Sequence, residues 1–442
     1  MNNQLNYNKW FQNAIFKKKF EALEFLINQN KNLAISLENK KINEHIQNKS
    51  TSITLKGLYQ QKKSSIYLEK IDDNMLEEIL NTLKNQIEIS FSEYKDDIFS
   101  GSFEYPSIKK NNFDFSKIKI EKKYNLLFKL EKKISKSPFY KQNENITYSE
   151  TFYNKKIINS KGLNLEQKEN FAEIYVFCLF EKNNKIEEIS EYFLVKEFQH
   201  FDIEKYAQKI IKKGEKKLDA QFLKSGIYDI IFSNKTFAKL LQKFSGIFNG
   251  MNVYHNLTKL KDKINQKIAS SKVTIIDNPL SSSSFFQYKF DDEGIAGKKK
   301  IIVQKGILKQ FIHNLRTANI FNVKSTGNCF NNNISMSNCY LEKGQETLNE
   351  IIIKIKKGIF IDELIGLHAG INDITGDFSI QAKGFKIEKG KITYPVKMII
   401  ISGNFFNILQ NLKNIANDFI FNSAGYGSAS VYVGTLSVAG KE

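Results

Sequence analysis

The residues of this 442-residue chain best suited to chemistry are its five histidines, its three cysteines and one run of acidic side chains. The histidines (His45, His200, His255, His313 and His368) never fall within one helical turn of each other, so neither HExxH nor HxxEH occurs. Glu363 and His368 are five residues apart, about 140° around a helix, and would not share a face. Cys178, Cys329 and Cys339 form no CxxC pair, and their odd number argues for free thiols over a disulfide framework. The run Asp291-Asp292-Glu293-Gly294 could offer carboxylate oxygens to a cation. The stronger reading is a turn between two strands, with Gly294 in the left-handed region. No Walker loop is present, since GIAGKKK at 294–300 has the wrong spacing, and no GxSxG elbow occurs. The SxxK matches Ser107/Lys110 and Ser116/Lys119 fall in an expected linker rich in Ser and Lys, where chance explains them.

Composition bounds the answer further. The formal charge of +19 invites a polyanion as partner. The excess is spread over short lysine runs (17–19, 62–63, 132–133, 212–217, 298–300), and Arg316 is the single arginine. Lysine cannot copy the planar guanidinium fork used in base and phosphate recognition, so solvated surface charge is the favoured reading and nucleic acid is not expected as a partner. The longest apolar runs, such as 174–180, are strand-length, so no membrane span is expected. An N-terminus without a charged segment followed by an apolar one points to a cytoplasmic protein.

The elements that would position these groups read as α+β: two smaller mixed α+β domains followed by a larger domain dominated by antiparallel strands. The expected divisions are 1–105, 106–225 and 226–442. In the first, apolar spacing predicts a helix over 12–30, strands at 33–37, 51–55 and 64–69, and a helix from about 72–74. Pro106 and the polar run at 109–116 suggest a linker. The second repeats the pattern, with a helix at 119–135, strands near 145–152, 156–160, 172–180 and 190–197, and a helix at 203–218 capped by Asp202. Beyond 226, short strands dominate, with helices expected at 235–248, 255–269, 346–356 and 404–417.

The last third also carries phrases more specific than any of these motifs: FDDEG (290–294), KGIL (305–308), STGN (325–328), SNCYLEKG (337–344) and the long run from GIFIDELIG to ITYPV (358–396). With NSKGLNLE (159–166) upstream and SVAG (437–440) at the end, they resemble the TldD/PmbA metallopeptidase family, on its PmbA (TldE) branch. The resemblance implies a paired peptidase. Its TldD-type subunit holds a metal through a helix bearing HExxxH and a later cysteine, and its PmbA-type subunit shares the fold. On the matching helix, 237–250, Gln242 and Ile247 stand where the histidines would be and Lys243 where the glutamate would be. An isoleucine cannot ligate, a lysine repels a dication, and no base remains for metal-bound water. The region matching the later cysteine reads NSAGYGSAS (422–430) and has none. Asn319 stands where the family often has arginine, and the first domain is short.

The resemblance therefore implies a non-catalytic subunit of a TldD-type metallopeptidase acting on unfolded or small peptides, with no catalytic or metal-binding residue of its own. Zinc is expected only in the TldD-type partner. Asp291, Asp292, Ser325, Thr326 and Asn328 are the candidate contacts to peptide or chamber. Two other readings remain: a stand-alone homodimer that binds peptides, or hydrolyses them through Asp291, Asp292 or His368, and a regulator linked to DNA gyrase or nucleic acid.

Overall fold

The computed structural model describes residues 5–90, 94–109, 111 and 113–441; Lys110 and Asn112 of the expected linker lie outside the described residues. The architecture is α+β, and the chain divides into two compact units. Unit 1 comprises residues 1–218 with 292–295, and unit 2 the remainder.

Unit 1 is built on long strands: β1 (Ala22–Glu38), β2 (Lys41–Tyr59), β3 (Lys62–Leu68), β4 (Tyr140–Asn159), β5 (Asn164–Lys182) and β6 (Lys185–Val195). They form one antiparallel sheet in the order β3-β2-β1-β4-β5-β6, so the two mixed α+β segments share a sheet. Helices α1 (Tyr7–Gln12), α2 (Leu76–Ile89), α3 (Ile120–Ile134) and α4 (Ile203–Lys217) supply the covering layer. The alternation of β1 explains how. Leu23, Phe25 and Ile27 point into a core with Trp10, Leu80 and Leu83 of α1 and α2. Ile35 and Leu37, on the same face further along, point into a second core with Leu127 and Leu130 of α3 and Ile210 of α4.

The expected helix over 12–30 is corrected. Helical structure ends at Lys17, and β1 begins at Ala22. Leu23, Phe25 and Ile27 satisfy a period of two, and the pairing of β1 with β2 and β4 overrides the weaker helical spacing. The two strands expected between 145 and 160 are parts of the continuous β4.

Unit 2 contains β7 (Gly226–Phe232), α5 (Asn234–Phe244), β8 (Ile275–Asp277), β9 (Lys300–Gln304), β10 (Ile307–Leu308), β11 (Cys329–Phe330), β12 (Asn333–Ile334) and β13 (Cys339–Leu341). Then come β14 (Gly358–Ile365), β15 (Asp377–Glu388), β16 (Lys391–Asn404), β17 (Asn414–Ile415), β18 (Ile420–Phe421), β19 (Tyr426–Ser428) and β20 (Val431–Ala439). One sheet runs β16-β15-β14-β7-β20-β17, and a further β16–β20 pairing closes five of its strands into a ring. A second runs β10-β9-β8-β13-β19-β18, and α5 packs between elements of both. Two expected helices differ. Residues 255–269 are turns, with left-handed residues at Asn256, Asp262 and Asn265. The helix expected over 404–417 stops at Asn411, because the Lys413 N–H turns to the Tyr432 carbonyl and Asn414–Ile415 pairs with β20. No described helix is long and apolar enough to cross a membrane.

Candidate functional site

Helix α5 begins where the Ser233 hydroxyl accepts from the Thr236 N–H at 3.3 Å, an N-cap that fixes the exit from β7. Thr236 Oγ1 lies 3.1 Å from the Ile361 carbonyl and ties this end of the helix to β14. Phe237, Leu240, Leu241 and Phe244 recur at helical spacing and are buried, with Phe244 stacked on Phe405 at a ring separation of 4.5 Å. The opposite face must then look outward, and Gln242 and Lys243 are exposed on it. Past Phe244 the chain tightens into a 3₁₀ turn, Ser245–Phe248, which carries Ile247 into the core at 1% exposure.

The segment at 422–430 folds against this helix. Asn422 Oδ1 accepts from the N–H groups of Ala424 and Tyr426, at 3.0 and 2.9 Å, and holds a tight turn. Gly425 in that turn has φ +80°, and a Cβ there would sit 2.7 Å from the Ser337 carbonyl. The turn delivers Asn422 Nδ2 to Gln242 Oε1 at 3.3 Å. Ser245 Oγ donates to the Gln242 carbonyl at 2.8 Å, so the Tyr426 hydroxyl, 3.0 Å away, donates to Ser245 Oγ. Burial lifts the Tyr426 phenol well above its ordinary range.

The two stretches in which the resemblance locates metal ligands, 180 residues apart at Gln242 and Asn422, are thus neighbours in space. Their side chains do not fit zinc. Lys243 is a cation, Ile247 is apolar and buried, and 422–430 has no thiol. Among the described residues no three of His, Cys, Asp and Glu converge on a position that could hold a metal ion. The three cysteines are buried and form no disulfide among the described residues. His368 is exposed.

Each of the other candidate contacts has a defined place. Asp291 is buried and accepts from the Cys329 N–H at 2.9 Å. The Asp292 carboxylate pairs with Lys155, and its carbonyl accepts from Lys56 Nζ at 3.0 Å. The two carboxylates therefore engage different partners. Gly294 has φ +79°, the left-handed residue expected of a turn, and Phe290 and Ala296 bridge on either side. Ser325 Oγ lies 3.2 Å from the His313 carbonyl. Thr326 Oγ1 accepts from the His313 N–H at 2.7 Å and donates to Asn328 Oδ1 at 2.8 Å.

Asn328 leads to a feature that sequence reasoning missed. Its Nδ2 donates to Asp277 Oδ2 at 2.9 Å, and Lys300 Nζ lies 2.9 Å from the same oxygen, with Asp277 at 0% exposure. Ser337 supplies its N–H and its hydroxyl to Asp277 Oδ1, both at 2.8 Å. Burial, with Asp277 adding to it, pushes the neighbouring Cys339 thiol well above its ordinary range. This network fastens the STGN loop to β8 and β9. The one available signal was an aspartate closing the apolar run VTIID and a lysine closing a run otherwise read as solvated.

Fold and site together define an α+β protein in which helix α5 and the 422–430 turn meet through side chains that offer no metal-ligand set. Residues 225–440 match the PmbA/TldA metallopeptidase C-terminal domain, and residues 113–218 match the central domain of the same proteins. The chain belongs to the TldD/PmbA metallopeptidase family. It is 32% identical over 211 residues to a metalloprotease PmbA homolog of Buchnera aphidicola, a match covering 48% of this chain and 46% of that protein. The matched stretch thus spans about half of that relative. A Thermotoga maritima structure described as a modulator of a DNA gyrase superposes with a TM-score of 0.90 at 24% identity, covering 98% of this chain and all of that one. TldE from Thermococcus kodakarensis superposes with a TM-score of 0.86 at 20% identity, covering 97% and 100%. At these identities the two structures speak for the fold.

Proposed function

We propose that this chain is the PmbA/TldE-type subunit of a TldD-type metallopeptidase, itself non-catalytic, pairing in the cytoplasm with a metal-bearing partner that cleaves unfolded or small peptides. The observation that carries the reading is the meeting of α5 with 422–430. In this reading the two stretches keep the juxtaposition a metal site would need, but Gln242, Lys243 and a thiol-free turn cannot hold one, and Ile247 is turned into the core. A hydrolytic centre lacking both ligands and a general base has no route to activate water, which assigns the chemistry to the partner. In this reading 226–442 forms the body around the degenerate site, and exposed strand edges offer backbone hydrogen bonds to an extended peptide.

The test uses the full chain and a HExxxH-bearing family member encoded in the same genome. The purified chain is expected to contain substoichiometric zinc and to leave a fluorogenic peptide intact. Mixing with the partner should give a one-to-one complex by light scattering, and cleavage that depends on the partner's metal. Stoichiometric zinc in this chain, together with peptide cleavage by the chain alone, would overturn the proposal.

A further inference from the structure

The sheet of unit 1 has two unlike faces. Helices α1 to α4 cover the face bearing Leu23, Phe25, Ile35 and Leu37. On the other face, Ala22 and Leu58 pack with Ile98 at one end, and residues 292–295 lie beside Lys56 and Lys155. Further along, the register defines two rows crossing five strands. One is Glu44, Ser36, Thr147, Tyr175, Tyr192, and the next is Ile46, Ala34, Ser149, Glu173, Leu194. At about 4.8 Å between strands these rows span about 19 Å, the length of about six extended residues.

Three observations converge on these rows. They are open and aromatic: Tyr192 is 55% exposed, its ring 4.5 Å from that of Tyr175, and Phe177 follows on the same face of β5. Their charge is of one sign. Glu44 and Glu173 stand in the rows and Glu188 lies beyond on β6, none with a cation partner among the described residues, and the rows contain no lysine. The lysines of these strands at Lys31, Lys49 and Lys168 fall on the helix-bearing face. Finally, Ser36, second in its row, is 8% exposed, and its hydroxyl has no hydrogen-bond partner among the described residues. In a chain of formal charge +19, a lysine-free acidic and aromatic strip is a local reversal of the whole.

We propose that this strip binds extended cationic peptide, with lysine or arginine side chains meeting Glu44, Glu173 and Glu188 and apolar side chains lying on Tyr175, Phe177 and Tyr192. The proposal rests on the peptide-handling reading above and names its substrate class. Cationic side chains over Tyr faces gain both carboxylate and ring-quadrupole attraction. A second copy of the chain is a poor occupant, because a two-fold pairing of this face would set glutamates against glutamates. Nucleic acid would be repelled in the same way.

Two labelled synthetic peptides with the same apolar residues, one carrying lysines and the other glutamates, are titrated with the full chain by fluorescence anisotropy. The lysine peptide is expected to bind about tenfold more tightly, with affinity falling as salt rises. The double variant Glu44→Gln, Glu173→Gln should erase most of that preference, while Lys168→Gln on the opposite face leaves it intact. Circular dichroism confirms that each variant is folded. Equal affinity for both peptides, or a preference untouched by the double variant, overturns the proposal. Assembly with the TldD-type partner and equal cleavage of both peptides would sink the strip while leaving the subunit reading standing. Tight, salt-sensitive binding of the lysine peptide without any such assembly would do the reverse.

Discussion

Burial holds the His313 imidazole neutral, with Nδ1 3.2 Å from Thr317 Oγ1, and pushes its pKa down to about 4. Above about pH 6.5 the ring is neutral in both folded and unfolded chains. Below that, the unfolded chain takes up a proton that the folded chain refuses until about pH 4. The stability associated with this group is therefore fully present above the unfolded value and drains away as pH falls toward the folded one. Between pH 7 and pH 4.5 the loss amounts to about 2–3 kcal/mol. Urea unfolding at the two pH values should show that much more acid destabilisation for the native chain than for His313→Gln. Equal slopes for the two proteins would show that His313 is charged, or solvated, in the folded state. The same residue marks a limit of sequence reasoning. Spacing ruled out a helical histidine pair, but nothing in the order of residues said that His313 would be sealed in a core.

Helix α5 makes its prediction at the level of the element. One face is closed by Phe237, Leu240, Leu241 and Phe244, and the other exposes Gln242 and Lys243. Phe244→Ala should cost about 3–5 kcal/mol, because it empties the stack on Phe405. Lys243→Ala should stay within about 0.5 kcal/mol. Chemical denaturation checks both, and a large effect at Lys243 would mean that this position has kept a role which its exposure does not reveal. Elements of this kind were legible in the sequence. The helix Ile203–Lys217 starts where Asp202 was expected to cap it, its Oδ1 accepting from the Lys205 N–H at 3.0 Å. Elements whose identity depends on distant pairing were less legible. The first half of β1, 22–30, reads as helix because its partners lie in β2 and β4, whereas its second half reads as the strand it is. Residues 255–269 carry helical apolar spacing over a backbone of turns. The candidate site divides along the same line. Gln242, Lys243 and the thiol-free turn could be named from the resemblance, but their contact could not. The Asp277–Lys300–Asn328 network could not be assembled from residue types alone, since its members are separated by 23 to 51 residues of sequence.

At the scale of the whole chain, connectivity and packing part company over four residues. Asp292–Ile295 lie in the second half of the sequence, yet they belong to unit 1. There the Asp292 carbonyl caps Lys56, whose ammonium also pairs with buried Glu24 at 3.0 Å, and the Asp292 carboxylate pairs with Lys155. The Gly294 carbonyl accepts from the Tyr105 hydroxyl at 2.7 Å. Leaving any of these buried charges without its partner is costly, so the stability of unit 1 should depend on a turn encoded more than seventy residues after its last helix ends at Lys217. Gly294 offers the cleanest perturbation. Its φ of +79° disfavours a branched side chain, and a Cβ would sit 2.6 Å from Leu163 Cδ2. Gly294→Val in the full chain should therefore lower the stability of unit 1 by about 2–4 kcal/mol. Trp10, the single tryptophan, reports on that unit directly, since its ring is buried in the core against α2 and its Nε1 donates to Asp73 at 2.8 Å. A urea transition followed by tryptophan fluorescence should shift to lower denaturant in the variant. An unchanged Trp10 transition would mean that the four residues rest on unit 1 without holding it together.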